Sequence, residues 1–249
     1  MDEFLAEVVG TAILIVIGNG SVANTNLARS KAQGGGWIVI TTGWGLAVAL
    51  AVYAAGRISG AHINPAVTVG LAASGAFPWH SVPTYLLGQM IGAALGALLV
   101  WLAFFRHWAE TPDADAKRAC FCTTPAIRDY PANLVTEMIG TFLLVFAILA
   151  VGDQAQALRT PQDLDLSVVF SAGLQPLLVG FLVWAIGLSL GGPTGYAINP
   201  ARDLGPRIMH ACLPIAGKTH SDWSYSWVPV VGPLVGGCLG AWTYVWIAF

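Results

Sequence analysis

The sequence predicts an all-α membrane protein of six transmembrane helices and two reentrant half-helices, arranged as an inverted repeat. Three observations lead there. The composition is too apolar for a soluble domain, six apolar stretches are each long enough to cross a bilayer, and Asn-Pro-Ala occurs at matching points in the two halves of the 249-residue chain. Hydrophobic residues make up 56% and charged residues 10%, against about one quarter charged in an ordinary soluble domain. A net charge of −2 offers no basic face to nucleic acid.

The first apolar stretch, about 4–27, begins after Asp2 and Glu3 and contains Glu7. It lacks the positive n-region and small-residue cleavage site of a signal peptide, so it reads as the first span. The others are about 37–56, 83–105, 133–152, 168–190 and 227–248, each near the roughly 20 residues that a spanning helix needs. Ten tryptophans and 29 glycines suit helices that pack closely and anchor at the interfaces. The most polar segment, 106–131, reads as a solvent-exposed loop between the halves, and 153–166 as a second polar turn. The cysteines Cys120, Cys122, Cys212 and Cys238 form no CxxC pair and have no histidines at zinc spacing, so they read as unpaired thiols and no metal site is predicted.

Two shorter segments, 65–76 and 200–212, start at the Asn-Pro-Ala boxes. A helix of about 12 residues rises roughly 18 Å, about half a bilayer. Pro65 and Pro200 suit the first helical turn, and Asn64 and Asn199 suit the N-cap. Each segment therefore reads as loop, then helix, starting inside the membrane, where non-helical backbone must line a cavity or be buried.

The duplication extends further. Glu7-Val-Val-Gly-Thr11 matches Glu137-Met-Ile-Gly-Thr141, and the glycine row Gly88, Gly92, Gly96 matches Gly232, Gly236, Gly240. The whole of 1–249 reads as one domain, with 1–106 as first repeat, 107–131 as connecting loop and 132–249 as second repeat. Three spans per half invert the second copy, so the half-helices meet N-terminus to N-terminus.

Two boxes in matching contexts, Ser59-Gly-Ala-His-Ile-Asn-Pro-Ala-Val-Thr68 and Thr194-Gly-Tyr-Ala-Ile-Asn-Pro-Ala-Arg-Asp203, together with the paired Glu-x-x-Gly-Thr helices, resemble the aquaporin family of membrane channels over essentially the whole chain. Within it, Asn199 to Arg207 is similar to the bacterial glycerol facilitators. The resemblance implies a homotetramer with a pore in each subunit and a multi-pass place in a bacterial plasma membrane with both termini cytoplasmic. A charge count opposes that orientation, since 106–131 holds Lys117, Arg118 and Arg128 while the other face offers mainly Arg57 and Arg159. The family orientation is preferred because acids near those charges and the reentrant segments weaken a simple count.

Facing half-helix N-termini oppose the passage of cations and protons, and the Asn64 and Asn199 amides suit the oxygen of a passing solute at this central constriction. Arg202, a cation at membrane depth, should face water. The resemblance places it in a selectivity filter with Trp44, Gly187 and Tyr196. There the two aromatic rings would form an apolar corner opposite the arginine, and Gly187 would leave room. Tyr196 stands where glycerol facilitators commonly carry Phe. The resemblance also assigns pore-lining carbonyls to Gly60, Ala61, His62, Gly195, Tyr196 and Ala197. It gives structural support to Glu7 and Glu137, which would bind loop N–H groups from behind, and to Gln89 and His62. Asp203 and Arg207, four apart on one helix, can pair as scaffold.

The resulting expectation is a passive channel for glycerol and other small uncharged solutes, with some water, needing no cofactor and performing no catalysis. Undissociated lactic acid, urea or water as the main cargo is the nearest alternative. A proton-coupled transporter using Glu7 or Glu137, and a structural junction with a closed pore, are the others.

Overall fold

A computed structural model describes residues 2–158 and 166–248. The spans are α1 (Glu3–Asn26), α2 (Trp37–Ser59), α4 (Val82–Ala103), α7 (Tyr130–Ala157), a broken fifth span and α11 (Val228–Ala248). The fifth comprises α8 (Leu166–Val169), a π-turn over Phe170–Leu174 and α9 (Gln175–Leu190). The half-helices are α3 (Pro65–Ala73) and α10 (Pro200–Cys212). Six helical segments are long and apolar enough to cross a membrane. Their outward faces carry large apolar side chains, Leu87, Leu95, Leu99 and Leu102 on α4 among them, as a lipid-facing surface requires. Arg159 and half of the turn expected over 153–166 lie outside the described residues; α7 continues helical through the start of that turn.

The halves are built alike. Helix α1 packs on α4 and α7 on α11, while α3 packs on α11 and α10 on α4. The glycine rows make the span contacts close. A Cβ on Gly92 would fall on the Val8 carbonyl oxygen of α1, and one on Gly236 on the Met138 carbonyl oxygen of α7. No larger residue fits without separating the helices.

The half-helices begin as their sequence predicts. Asn64 Oδ1 accepts from the Ala66 amide at 2.8 Å, and Asn199 Oδ1 from Ala201 and Arg202 at 3.0 and 3.1 Å. Each has proline at its first position. Helix α3 ends at Ala73, short of the expected 76, because a turn built on Gly75 (φ +82°) reverses the chain.

The connection 106–131 corrects the expectation of an exposed loop. It contains two short helices, α5 (His107–Glu110) and α6 (Ala114–Ala119), then folds inward so that Lys117, Arg118 and Cys120 to Thr123 are buried. The reason is a charged clamp. Asp203 Oδ2 accepts from the Thr123 amide and hydroxyl, both at 2.7 Å. Arg207 binds Asp203 Oδ1 at 2.8 Å and donates to the carbonyls of Thr123, Ser221 and Asp222. This ion pair is fully buried, which is tolerable only because the remaining donors and acceptors are also satisfied. All four cysteines are free, and burial pushes the Cys122 thiol up to about 12, so it stays protonated at neutral pH.

At the rim, Arg128 grips Asp222, with Nη1 to Oδ1 at 3.1 Å. Burial alone would raise the Asp222 carboxyl. The hydrogen bonds and charge of Arg128, helped by Ser224, outweigh it and hold the group below its ordinary 3.8.

Two outcomes follow from this packing. Gly236→Val should abolish recovery of monodisperse protein and Gly236→Ala should cost about 1–3 kcal/mol, read by size exclusion and thermal unfolding in detergent; a wild-type melting temperature for both would contradict the close α7–α11 contact. Asp222 has a lowered folded-state pKa, so its stabilisation is complete above the unfolded value near 3.9 and fades as pH falls through the folded one. Asp222→Asn should lower Tm by about 2–4 °C at pH 7, with the gap to wild type narrowing as pH falls below about 3.9. A gap that stays constant below that pH would assign the loss to something other than the charge.

Candidate functional site

Between the half-helices and the spans lie two cavities. One, of about 330 Å³, extends from the half-helix junction toward the face bearing the chain termini and is lined by Asn64, Asn199 and the loop residues Gly60 to Ile63 and Tyr196 to Ile198. Its far wall is apolar, with Leu14, Val48, Val52, Val67, Leu144 and Val183. The other, of about 490 Å³, opens on the face of the connecting segment and is lined by Trp37, Arg118, Thr123 and Gly195 among others. Trp44, Tyr196 and Arg202 line both. These three residues mark where the cavities meet.

The backbone beside the first cavity is held in conformations that side chains disfavour. Ala61 (φ +47°), Ile63 (φ +46°), Tyr196 (φ +37°) and Ile198 (φ +44°) are all left-handed, following the left-handed glycines Gly60 and Gly195. Each non-glycine residue there costs about 1–3 kcal/mol. Buried carboxylates hold the strained loops. Glu7 accepts from the His62 and Ile63 amides at 3.0 and 2.7 Å, and Glu137 from the Ala197 and Ile198 amides at 2.9 and 2.8 Å. Ser59 Oγ and Gln89 Nε2 also donate to Glu7, and Gln89 and His62 both reach Thr68. Neither glutamate lines either cavity. His62 both braces the loop and lines the first cavity.

At the junction the two asparagines bind across. Asn64 Nδ2 donates to the Ile198 carbonyl and Asn199 Nδ2 to the Ile63 carbonyl, each at 2.8 Å. The capping role and the donor role therefore coexist. Each side-chain oxygen caps its own half-helix, one amide hydrogen locks the opposite loop, and one remains for the cavity.

The constriction differs in two respects from the arrangement that the sequence suggests. Arg202 does not stand opposite Trp44; its guanidinium lies over the indole, 4.2 Å from the ring centroid. In a buried site a cation–π contact is worth about 2 kcal/mol. Nor is there open space above Gly187. A Cβ at Gly187 would lie 2.7 Å from Tyr196 Cζ and 2.9 Å from its hydroxyl oxygen, so the tyrosine occupies that volume. Gly187 itself is not among the residues lining either cavity.

Trp44 Nε1, Tyr196 Oη and Arg202 Nη1 are all buried without a hydrogen-bond partner in the protein. Three such groups at one constriction are costly unless a polar ligand meets them. The family resemblance singles out these three side chains but not Thr123 or Trp37. Both lie in segments that look like loop or interface, and only folding brings them to the second cavity. No cluster of potential metal ligands occurs among the described residues.

Comparison with known proteins agrees with this geometry. The family model described as "Major intrinsic protein" matches residues 1–244. The chain is 60% identical over 247 residues to a "Probable glycerol uptake facilitator protein" of Thermotoga maritima, covering 99% of this chain and 100% of that one. It is 53% identical over 240 residues to the "Glycerol uptake facilitator protein" of Bacillus subtilis, covering 96% and 82%. A "D/L-lactic acid transporter" of Lactiplantibacillus plantarum is 37% identical, covering 97% and 96%. The crystal structure of the aquaglyceroporin from Plasmodium falciparum superposes with a TM-score of 0.82 at 29% identity, covering 99% of this chain and 96% of that one. By sequence and by fold, this chain belongs to the major intrinsic protein family of multi-pass membrane channels, the aquaporins.

Proposed function

We propose that this protein is a passive channel for glycerol and similar small uncharged polyols, with some water, driven by the solute gradient alone. The observation that carries this reading is the constriction, where three unpartnered polar atoms stand among aromatic faces at the one place shared by the two cavities. A polyol edge-on presents oxygens to the Arg202 and Trp44 donors and its carbon skeleton to the rings of Trp44 and Tyr196. The names of the most similar relatives support the same solute class.

Arg202 Nη1, which has no partner in the protein, can donate to a solute oxygen while the guanidinium stays over the Trp44 ring. A hydrogen bond to a charged donor is worth about 1.5–3 kcal/mol. Along the pore, the carbonyls of Gly60, Ala61, His62, Gly195, Tyr196 and Ala197 accept from solute hydroxyls, while Asn64 and Asn199 each offer one amide hydrogen at the midplane. The apolar lining offers no second set of partners, so solute carbon rests against it. The two half-helix N-termini converge there and disfavour cations. Glu7 and Glu137 act as scaffold.

In the cell this reading places the chain in a bacterial plasma membrane as a homotetramer, termini inside and the Arg118 vestibule outside. Undissociated lactic acid is the second reading, favoured by the likeness to a protein named as its transporter and by the extra hydroxyl of Tyr196.

Proteoliposomes containing the protein should swell in a glycerol gradient at least about tenfold faster than empty vesicles, and lactic acid at pH 4 should pass more slowly than glycerol. Glycerol flux equal to that of empty vesicles would refute the proposal; faster lactic acid would favour the second reading. Arg202→Val should raise the flux of uncharged solutes larger than glycerol and admit protons, reported by a pH dye inside the vesicles. An unchanged solute profile with no proton leak would remove Arg202 from the filter.

A further inference from the structure

Trp37 opens α2 at the membrane face of the second cavity and is about one-third exposed, which by itself suggests an interface anchor. Its contacts say more. Its indole Nε1 donates to the Gly187 carbonyl at 2.9 Å, a bond between residues 150 positions apart. The same carbonyl accepts from the Gly191 amide where α9 ends. The Trp37 ring meets the Tyr196 ring edge-on, with centroids 5.8 Å apart and planes at 75°.

Gly191 completes the arrangement. A Cβ there would lie 2.6 Å from Trp37 Cζ2, 2.6 Å from Tyr196 Cδ1 and 2.5 Å from the Gly187 oxygen. The Gly195 amide in turn donates to the Gly191 carbonyl at 2.8 Å. Trp37, Gly187, Gly191 and Tyr196 thus interlock with no spare volume. The Tyr196 hydroxyl stands in the space that a side chain at 187 would fill, without a partner in the protein. Tyr196 also carries one of the strained left-handed backbones, so its ring needs a brace from outside its own loop.

We infer that Trp37 is a positioning residue of the filter: by fixing the Gly187 carbonyl and the edge of the Tyr196 ring, it sets where the Tyr196 hydroxyl stands and so how large a solute passes. The inference rests on the channel reading above. Trp37 has no need to touch solute at the constriction; it acts through Tyr196. Loosening the brace lets the ring swing and widens the opening, and deleting the hydroxyl widens it by the same route.

The test is a double-mutant cycle on solute selection, with wild type, Trp37→Phe, Tyr196→Phe and the double variant in proteoliposomes. Fluxes of water, urea, glycerol and erythritol are measured on the same vesicles, so the ratios do not depend on how much protein has folded. Losing the Trp37–Gly187 hydrogen bond corresponds to about two- to tenfold. Trp37→Phe should raise erythritol flux relative to glycerol by that factor, Tyr196→Phe should raise it as well, and the double variant should go no further than Tyr196→Phe. A ratio unchanged in Trp37→Phe would reduce Trp37 to an interface anchor, and effects that multiply in the double variant would show that it does not act through Tyr196. Should wild type pass water and urea but not glycerol, the solute assignment falls, and the same cycle is read on the urea-to-water ratio.

Discussion

The rest of the structure depends on how two non-helical segments survive inside a membrane. Hydrocarbon satisfies no backbone group, so the loops before α3 and α10 must find their partners within the protein or in a water-filled cavity. Glu7 and Glu137 supply those partners, each taking two consecutive amides of a loop whose residues sit in left-handed conformations. A carboxylate accepting such bonds gains more than a neutral acceptor would, which offsets the strain at Ile63 and Ile198. The reciprocal asparagine bonds then tie each loop to the opposite half-helix. Without this frame there is no fixed line of carbonyls and no fixed meeting of helix termini.

The proposed filter is assembled from four separate parts of the chain. Trp44 comes from the first half of α2, Gly187 from the end of α9, Tyr196 from a strained loop and Arg202 from the first turn of α10. The Asp203–Arg207 pair sets the last of these against the connecting segment, because Thr123 closes on Asp203 from across the mouth. The polar loop between the halves is thereby part of the vestibule wall. Its buried cations, Lys117 and Arg118, reach the carbonyls of Ala216 and His220 and pin the loop after α10 as well.

Some of this was legible in the sequence because it was written in local terms. Length and hydropathy mark a span, Asn-Pro marks a helix start, and glycines four apart mark a close helix face. The repeats made Glu7 and Glu137 stand out as a pair, and the family resemblance supplied their role as loop braces. What misled was composition read alone. A segment with eight charged residues looks solvent-exposed, yet Arg118 within it and its partner in the clamp, Asp203, show that charges go inside when their donors and acceptors find partners.

The sequence by itself determined the six spans and the starts of the two half-helices, since each rests on residues adjacent or regularly spaced in the chain; the four proposed filter positions, far apart in the chain, came from the family resemblance. Only the tertiary structure decided how those side chains lie. That Arg202 rests on the Trp44 face, that Tyr196 fills the space above Gly187 and that Trp37 holds it there are contacts between helices distant in sequence. Their geometry is set by close packing and by the demand that buried polar groups be satisfied. Neither constraint has a period along the chain.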